Sequence, residues 1–130
     1  FEPLYVAMLR SRSLDWRSPA SVNDLREQPL IVYPSTRPEF ADEVIDMCMR
    51  AGFTPRVAIE AEDVVSCLAY VALGTAIAVV PESATKTVPD GVVFLPLTDA
   101  PPAPLYCAHL QDNSAPTLRL FVDYLDSRAP

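Results

Sequence analysis

The chain has 130 residues, half of them hydrophobic and about a fifth charged, the composition of one globular domain with a sizeable core rather than of a disordered segment. Asp and Glu number 17 against 10 Lys and Arg, a net charge of −7, and no basic cluster is present, which excludes a phosphate-gripping nucleic-acid face. Cys48, Cys67 and Cys107 are odd in number, widely spaced and set in apolar segments, so they read as buried thiols of a reducing cytoplasm; with His109 the one histidine and no C-x-x-C, neither a metal nor a cofactor is expected.

Residues 4–9 predict a strand, and they lack the basic start and small-residue cleavage site of a secretory signal. Residues 21–26 predict a short helix, with Ser21 and Asp24 as a capping pair. Residues 30–33 are a β-branched apolar run closed by Pro34, the pattern of a strand covered on both faces. A helix is then predicted over 39–51, ended by Gly52. Thr36 and Glu39 have capping-box spacing before it, Arg37 and Pro38 fill its first turn, and Phe40, Val44, Met47, Cys48 and Ala51 recur at helical spacing toward the core. A strand at 56–59, a helix at 63–73 ended by Gly74, a strand at 76–80 and a helical turn after Pro81 follow. The uncharged run 64–80 is too interrupted for a membrane span: Gly74 divides it and Glu62, Asp63 and Glu82 flank it. A strand at 92–95, a proline-rich connector at 100–104, a strand at 105–110 and a helix at 116–125 complete the chain. Strands alternating with helices predict an α/β fold of parallel βαβ units with right-handed crossovers.

The turn from Pro34 into the helix combines a strand's carboxyl end with free helix N–H groups, so it reads either as a capped surface turn or as an anion pocket. Glu60, Glu62 and Asp63 sit where a strand hands over to a helix; they could share a proton in acid–base chemistry, or simply complement the helix N-terminus, which is the commoner use. Cys107 and His109 share one face of a strand, a core thiol beside a hydrogen-bonded histidine in the plainer reading. Tyr33, Tyr70 and Tyr106 read as core or cleft-lining aromatics. No G-x-S-x-G, Walker or G-x-G-x-x-G motif is present.

Pro29-Leu30-Ile31-Val32-Tyr33-Pro34, Arg37-Pro38-Glu39-Phe40, Ala51-Gly52-Phe53-Thr54-Pro55-Arg56 and Val71-Ala72-Leu73-Gly74 through Val79-Val80-Pro81-Glu82-Ser83 together resemble the effector-binding domain of LysR-type transcriptional regulators. The similarity runs over nearly the whole chain and is greatest to the subgroup controlling aromatic and chloroaromatic catabolism. It implies a type 2 periplasmic-binding-protein-like α/β fold in which a small molecule sits between two lobes, each a Rossmann-like parallel sheet, with no enzymatic activity. It places residues 1–104 in the second lobe and 105–130 in the strand and helix returning to the first, most of which lies outside the chain together with the winged helix-turn-helix that contacts DNA. It further implies that the carboxylates of an effector, a muconate-like dicarboxylate, meet Ser35, Thr36, Arg37, Pro38, Glu39 and Phe40, with Asp63 at the adjacent junction, in a cytoplasmic protein without membrane contact. Two departures stand out. Glu39 occupies a place where the resemblance implies a small or amide side chain, and Arg10-Ser11-Arg12-Ser13-Leu14 replaces Pro-x-x-His-Pro-Leu. A transport-type solute-binding protein shares the fold but needs a secretory signal and two whole lobes; a small α/β enzyme would have to use Glu60, Glu62, Asp63 or Cys107. The apolar stripe Leu118, Phe121, Val122 and Leu125 predicts self-association or docking onto the chain's own sheet, with the helix at 63–73 as a second contact surface.

Overall fold

A computed structural model describes residues 2–100 apart from Thr36 and Thr87. The expected strand at 105–110 and helix at 116–125, with Tyr106, Cys107 and His109, lie outside these residues.

Two apolar strands run through the middle of the molecule. In β1 (Leu4–Leu9) Val6, Ala7 and Met8 have no solvent exposure, and in β4 (Ile77–Pro81) every residue is buried. Neither strand alternates, because layers of structure cover both faces. They pair with each other and with β2 (Pro29–Val32), β3 (Arg56–Glu60) and β5 (Val92–Leu97) in one sheet of order β3-β2-β4-β1-β5. β2 pairs in parallel with β3 and β4, whereas β1 runs antiparallel to both β4 and β5. The fold is thus α/β with a mixed sheet, parallel in its β3-β2-β4 half and crossed by one reversed strand. Edge strand β3 is largely exposed, and Pro96 sits in edge strand β5, where a missing donor is tolerated.

β2 leads through α2 (Pro38–Arg50) outward to β3, and β3 leads back through α3 (Val64–Ala72) to β4. Right-handed crossovers in opposite directions put the two helices on opposite faces. α3 packs across β1, β2, β4 and β5, and α2 lies beside the 3-10 turn Val22–Leu25. Ser21 and Asp24 form the expected capping box of that turn.

Three expectations need correction. The N-cap of α2 is Arg37 rather than Thr36, so Pro38 begins the helix and Glu39 falls one position short of a capping-box partner. Phe40, Val44, Met47 and Cys48 face the core as expected, together with Ala41, but Ala51 is the exposed C-cap. Tyr70 is exposed on the outer side of α3. A short helix not anticipated, α1 (Arg10–Ser13), follows β1; Arg12 Nη2 donates to the Gly74 carbonyl at 2.9 Å. Gly74 ends α3 at φ +79°, and a Cβ there would come within 2.8 Å of Leu9 Cδ1. No helix among the described residues is long and apolar enough to cross a membrane.

Candidate functional site

The carboxyl ends of β2, β3 and β4 lie side by side, and the chain leaves each into the start of a helix or helical turn. β2 ends in Tyr33-Pro34 before α2; β3 ends in Glu60 before Asp63 and α3; β4 ends in Pro81 before the 3-10 turn Glu82–Lys86. From β2 the chain crosses toward β3, and from β4 it proceeds to β5 on the other side, so the gap between these two strands is the switch point at which α/β sheets collect ligands. A cleft of about 360 Å3 opens there, within the range of small-molecule sites. Its polar lining is Tyr33, Arg37, Asp63 and Ser83, and its apolar wall is Val64, Val65, Leu68, Pro81 and Ala84.

Asp63 is the N-cap of α3, and its Oδ1 accepts the Ser66 N–H at 2.7 Å. That backbone N–H, first, and the Ser66 side chain, second, hold its carboxyl below the usual carboxylate range. The carboxylate is committed to the helix, the plainer of the two readings of the acidic junction, and Glu60 and Glu62 are exposed beside it. Across the cleft, the Arg37 guanidinium carbon lies 5.4 Å from the Phe40 ring centroid, and the Phe40 ring in turn packs 5.8 Å from that of Tyr33. Tyr33 is 3% exposed, and its hydroxyl has no hydrogen-bond partner among the described residues. Burial, first, and the neighbouring Cys67 thiol push its phenol well above the ordinary range, so it stays an O–H.

On the β4 side the turn that brings Ser83 to the cleft is held by a long-range clasp. Glu2 Oε1 accepts the Ser83 N–H at 2.8 Å and Oε2 accepts the Ser83 O–H at 3.3 Å, while the Glu82 N–H donates to the Pro3 carbonyl at 3.0 Å. A second carboxylate does the same at the far end of the described chain: Asp99 accepts from the Ser21 O–H and the Val22 N–H, both at 2.9 Å. Because β1 is antiparallel to β5, with Leu4 opposite Leu97, residues 2 and 99 emerge at the same end of the sheet, which is the cleft end.

Of the residues singled out from the sequence, Arg37 and Asp63 are brought together on the cleft wall. Ser35, Pro38 and Glu39 are exposed and do not line it, Phe40 is buried beneath Arg37, and Thr36 lies outside the described residues. Ser83, Ala84, Leu68 and Glu2 are additions. Pro81-Glu82-Ser83 was visible as a motif, but nothing local to it shows that β4 pairs with β2. Cys48 and Cys67 are buried thiols, as expected; desolvation pushes Cys48 up to about 11, and desolvation and then Asp63 push Cys67 up to about 12.

The chain matches the LysR substrate binding domain over residues 2–130. It is 35% identical over 125 residues to the HTH-type transcriptional regulator TfdS of Cupriavidus pinatubonensis, covering 95% of this chain and 42% of that protein. It is 32% identical to the HTH-type transcriptional regulator TcbR of Pseudomonas sp. strain P51, covering 95% and 43%. Among solved structures it superposes on CbnR, a LysR family transcriptional regulator, with a TM-score of 0.79 at 29% identity over 99% of this chain and 45% of that one; CbnR has also been solved full-length with its target DNA. The chain spans less than half the length of these relatives. It belongs to the LysR substrate-binding domain family, a family of transcriptional-regulator domains and not of enzymes.

Proposed function

We propose that this chain is the second lobe of an effector sensor: residues 1–104 form the lobe, 105–130 return to a first lobe, and a small carboxylate-bearing molecule, such as a muconate-like dicarboxylate, binds between them. The observation that supports this reading is the cleft at the carboxyl ends of β2, β3 and β4, with residues 2 and 99 emerging at the same end. A first lobe attached there would face the cleft directly. The cleft wall offers one cation, Arg37, and apolar surface from Val64, Leu68 and Ala84, a match for an anionic head on an unsaturated or aromatic body. Effector binding would bias lobe closure and so bias DNA binding by a winged helix-turn-helix elsewhere in a cytoplasmic, self-associating regulator. Leu73, 74% exposed at the C-cap of α3, is a candidate for the self-association. The capping role of Asp63 and the family membership leave the small-enzyme alternative without support.

The test is nuclear magnetic resonance of the natural protein carrying this chain, titrated with benzoate and with cis,cis-muconate. Shift changes are expected at Arg37, at Asp63 through Val65 and at Ser83. Saturable changes confined to other residues refute the cleft as the effector site.

A further inference from the structure

A phenol hydroxyl that is almost wholly buried and makes no hydrogen bond is expensive to keep, because burial without a partner forfeits its hydration. Tyr33 is in that state among the described residues, and a phenylalanine would fill the same space without the penalty. The surroundings do not explain it as packing. Tyr33 lines the cleft together with Arg37 and Asp63, and its hydroxyl feels Cys67 from α3, Arg37 from the start of α2 and Glu2 from the segment before β1. The residue lines the cleft where three elements converge, and its hydroxyl oxygen is buried behind that wall. None of them satisfies it.

We infer that the Tyr33 hydroxyl is a specificity-determining group of the cleft, donating its hydrogen bond to an oxygen of a small unsaturated or aromatic carboxylic acid whose anionic head also faces Arg37. This rests on the reading of the cleft as an effector site and adds to it the atom that reads the ligand. The chemistry is consistent at each contact. The phenol remains protonated and so can donate to a carboxylate oxygen, a hydrogen bond strengthened by the acceptor's charge. The guanidinium supplies the opposing charge from the same side. Val64, Leu68 and Ala84 cover the flat apolar body. A ligand with an apolar group in place of the oxygen would leave the hydroxyl unpaired, and discrimination against such a ligand is the one task for which an unsatisfied buried O–H is well suited.

Tyr33→Phe in the natural protein, measured by calorimetry with benzoate and cis,cis-muconate, tests the inference against Arg37→Gln as a reference. Affinity for at least one of the two acids is expected to fall about tenfold on Tyr33→Phe, because a hydrogen bond to a charged group is removed, while the melting temperature of the ligand-free protein stays level or rises. Affinity within twofold of the unsubstituted protein for both acids overturns the inference. So does a melting temperature lowered by several degrees, since that would mean the hydroxyl serves the fold. If Arg37→Gln weakens binding and Tyr33→Phe does not, the role of Tyr33 falls while the cleft stands. If neither substitution alters binding, or the unsubstituted protein binds neither acid, the cleft reading falls and the inference with it.

Discussion

Replacing Arg37 by Gln takes a positive charge out of the cleft wall and keeps a polar side chain of similar reach. The guanidinium is not free to wander: its carbon is 5.4 Å from the centroid of Phe40, a ring packed against Tyr33. A full charge pair at about 4 Å, in the effective dielectric of about 20 that suits protein surfaces, is worth about 4 kcal/mol. Arg37 is half-buried, so solvent and salt screen most of that, and about 1–2 kcal/mol should survive. The expected loss is therefore about 5- to 30-fold in Kd for a monocarboxylate such as benzoate. Calorimetry at low and at physiological salt gives a second reading: binding to the unsubstituted protein should weaken as salt rises, and binding to the variant should respond less. The apo protein should lose little, since a cation–π contact at a partly exposed site contributes about 0.5–1 kcal/mol. Equal affinities and equal salt slopes for the two proteins would refute the assignment of Arg37 to the anion.

Gly74→Ala should destabilise by about 1–2 kcal/mol from the left-handed backbone alone, and by more because the new Cβ would lie within 2.8 Å of Leu9 Cδ1. Gly52→Ala, at φ +96° with Arg26 Nη2 at 3.9 Å as its nearest neighbour, should show only the backbone part, and thermal melts in a Leu9→Ala background should erase the difference. Asp63→Ala should lower the melting temperature at about pH 6, where the carboxylate cap is intact. Since the folded protein holds Asp63 below its usual range, the unfolded chain takes up that proton first as pH falls. The advantage over the variant is therefore full above the ordinary carboxylate range of about 4 and vanishes as pH drops through the lower folded value, which melts at successive pH values would trace. Glu39→Asn should change benzoate affinity less than twofold by calorimetry, because Glu39 is exposed at the start of α2 and does not line the cleft.

The elements were legible because each carries its own boundary chemistry. Gly52 and Gly74 both take positive φ just beyond their helices, Asp63 caps α3, and Ser21 with Asp24 caps the 3-10 turn. Buried runs such as Ile77 through Val80 could be read as covered strands from the absence of alternation. The direction of β1 could not. Strand–helix alternation predicts parallel pairing only where a helix carries the chain back, and between β1 and β2 the chain makes α1 and a 3-10 turn instead of a full crossover helix. Local patterning and the family resemblance both pointed to a parallel sheet, and neither revealed that β1 runs antiparallel to its neighbours.

The cleft was half legible for a related reason. Capping logic draws attention to one helix start at a time, and it pointed to the turn after β2, which contributes Arg37 to the cleft wall, while assigning the cap one residue early. What makes a cavity out of that turn is β4 lying next to β2, which brings Ser83 and Ala84 opposite Arg37. The order of strands is a global property, and no spacing within residues 34–40 encodes it. Glu2 shows the point most sharply, for its partner Ser83 is 81 residues away and becomes a neighbour only through the antiparallel pairing of β1 with β4. Its carboxylate satisfies donors at the start of the turn after β4, just as Asp99 satisfies those at the start of Val22–Leu25. Both ends of the described chain are thereby tied down by acids at the cleft end.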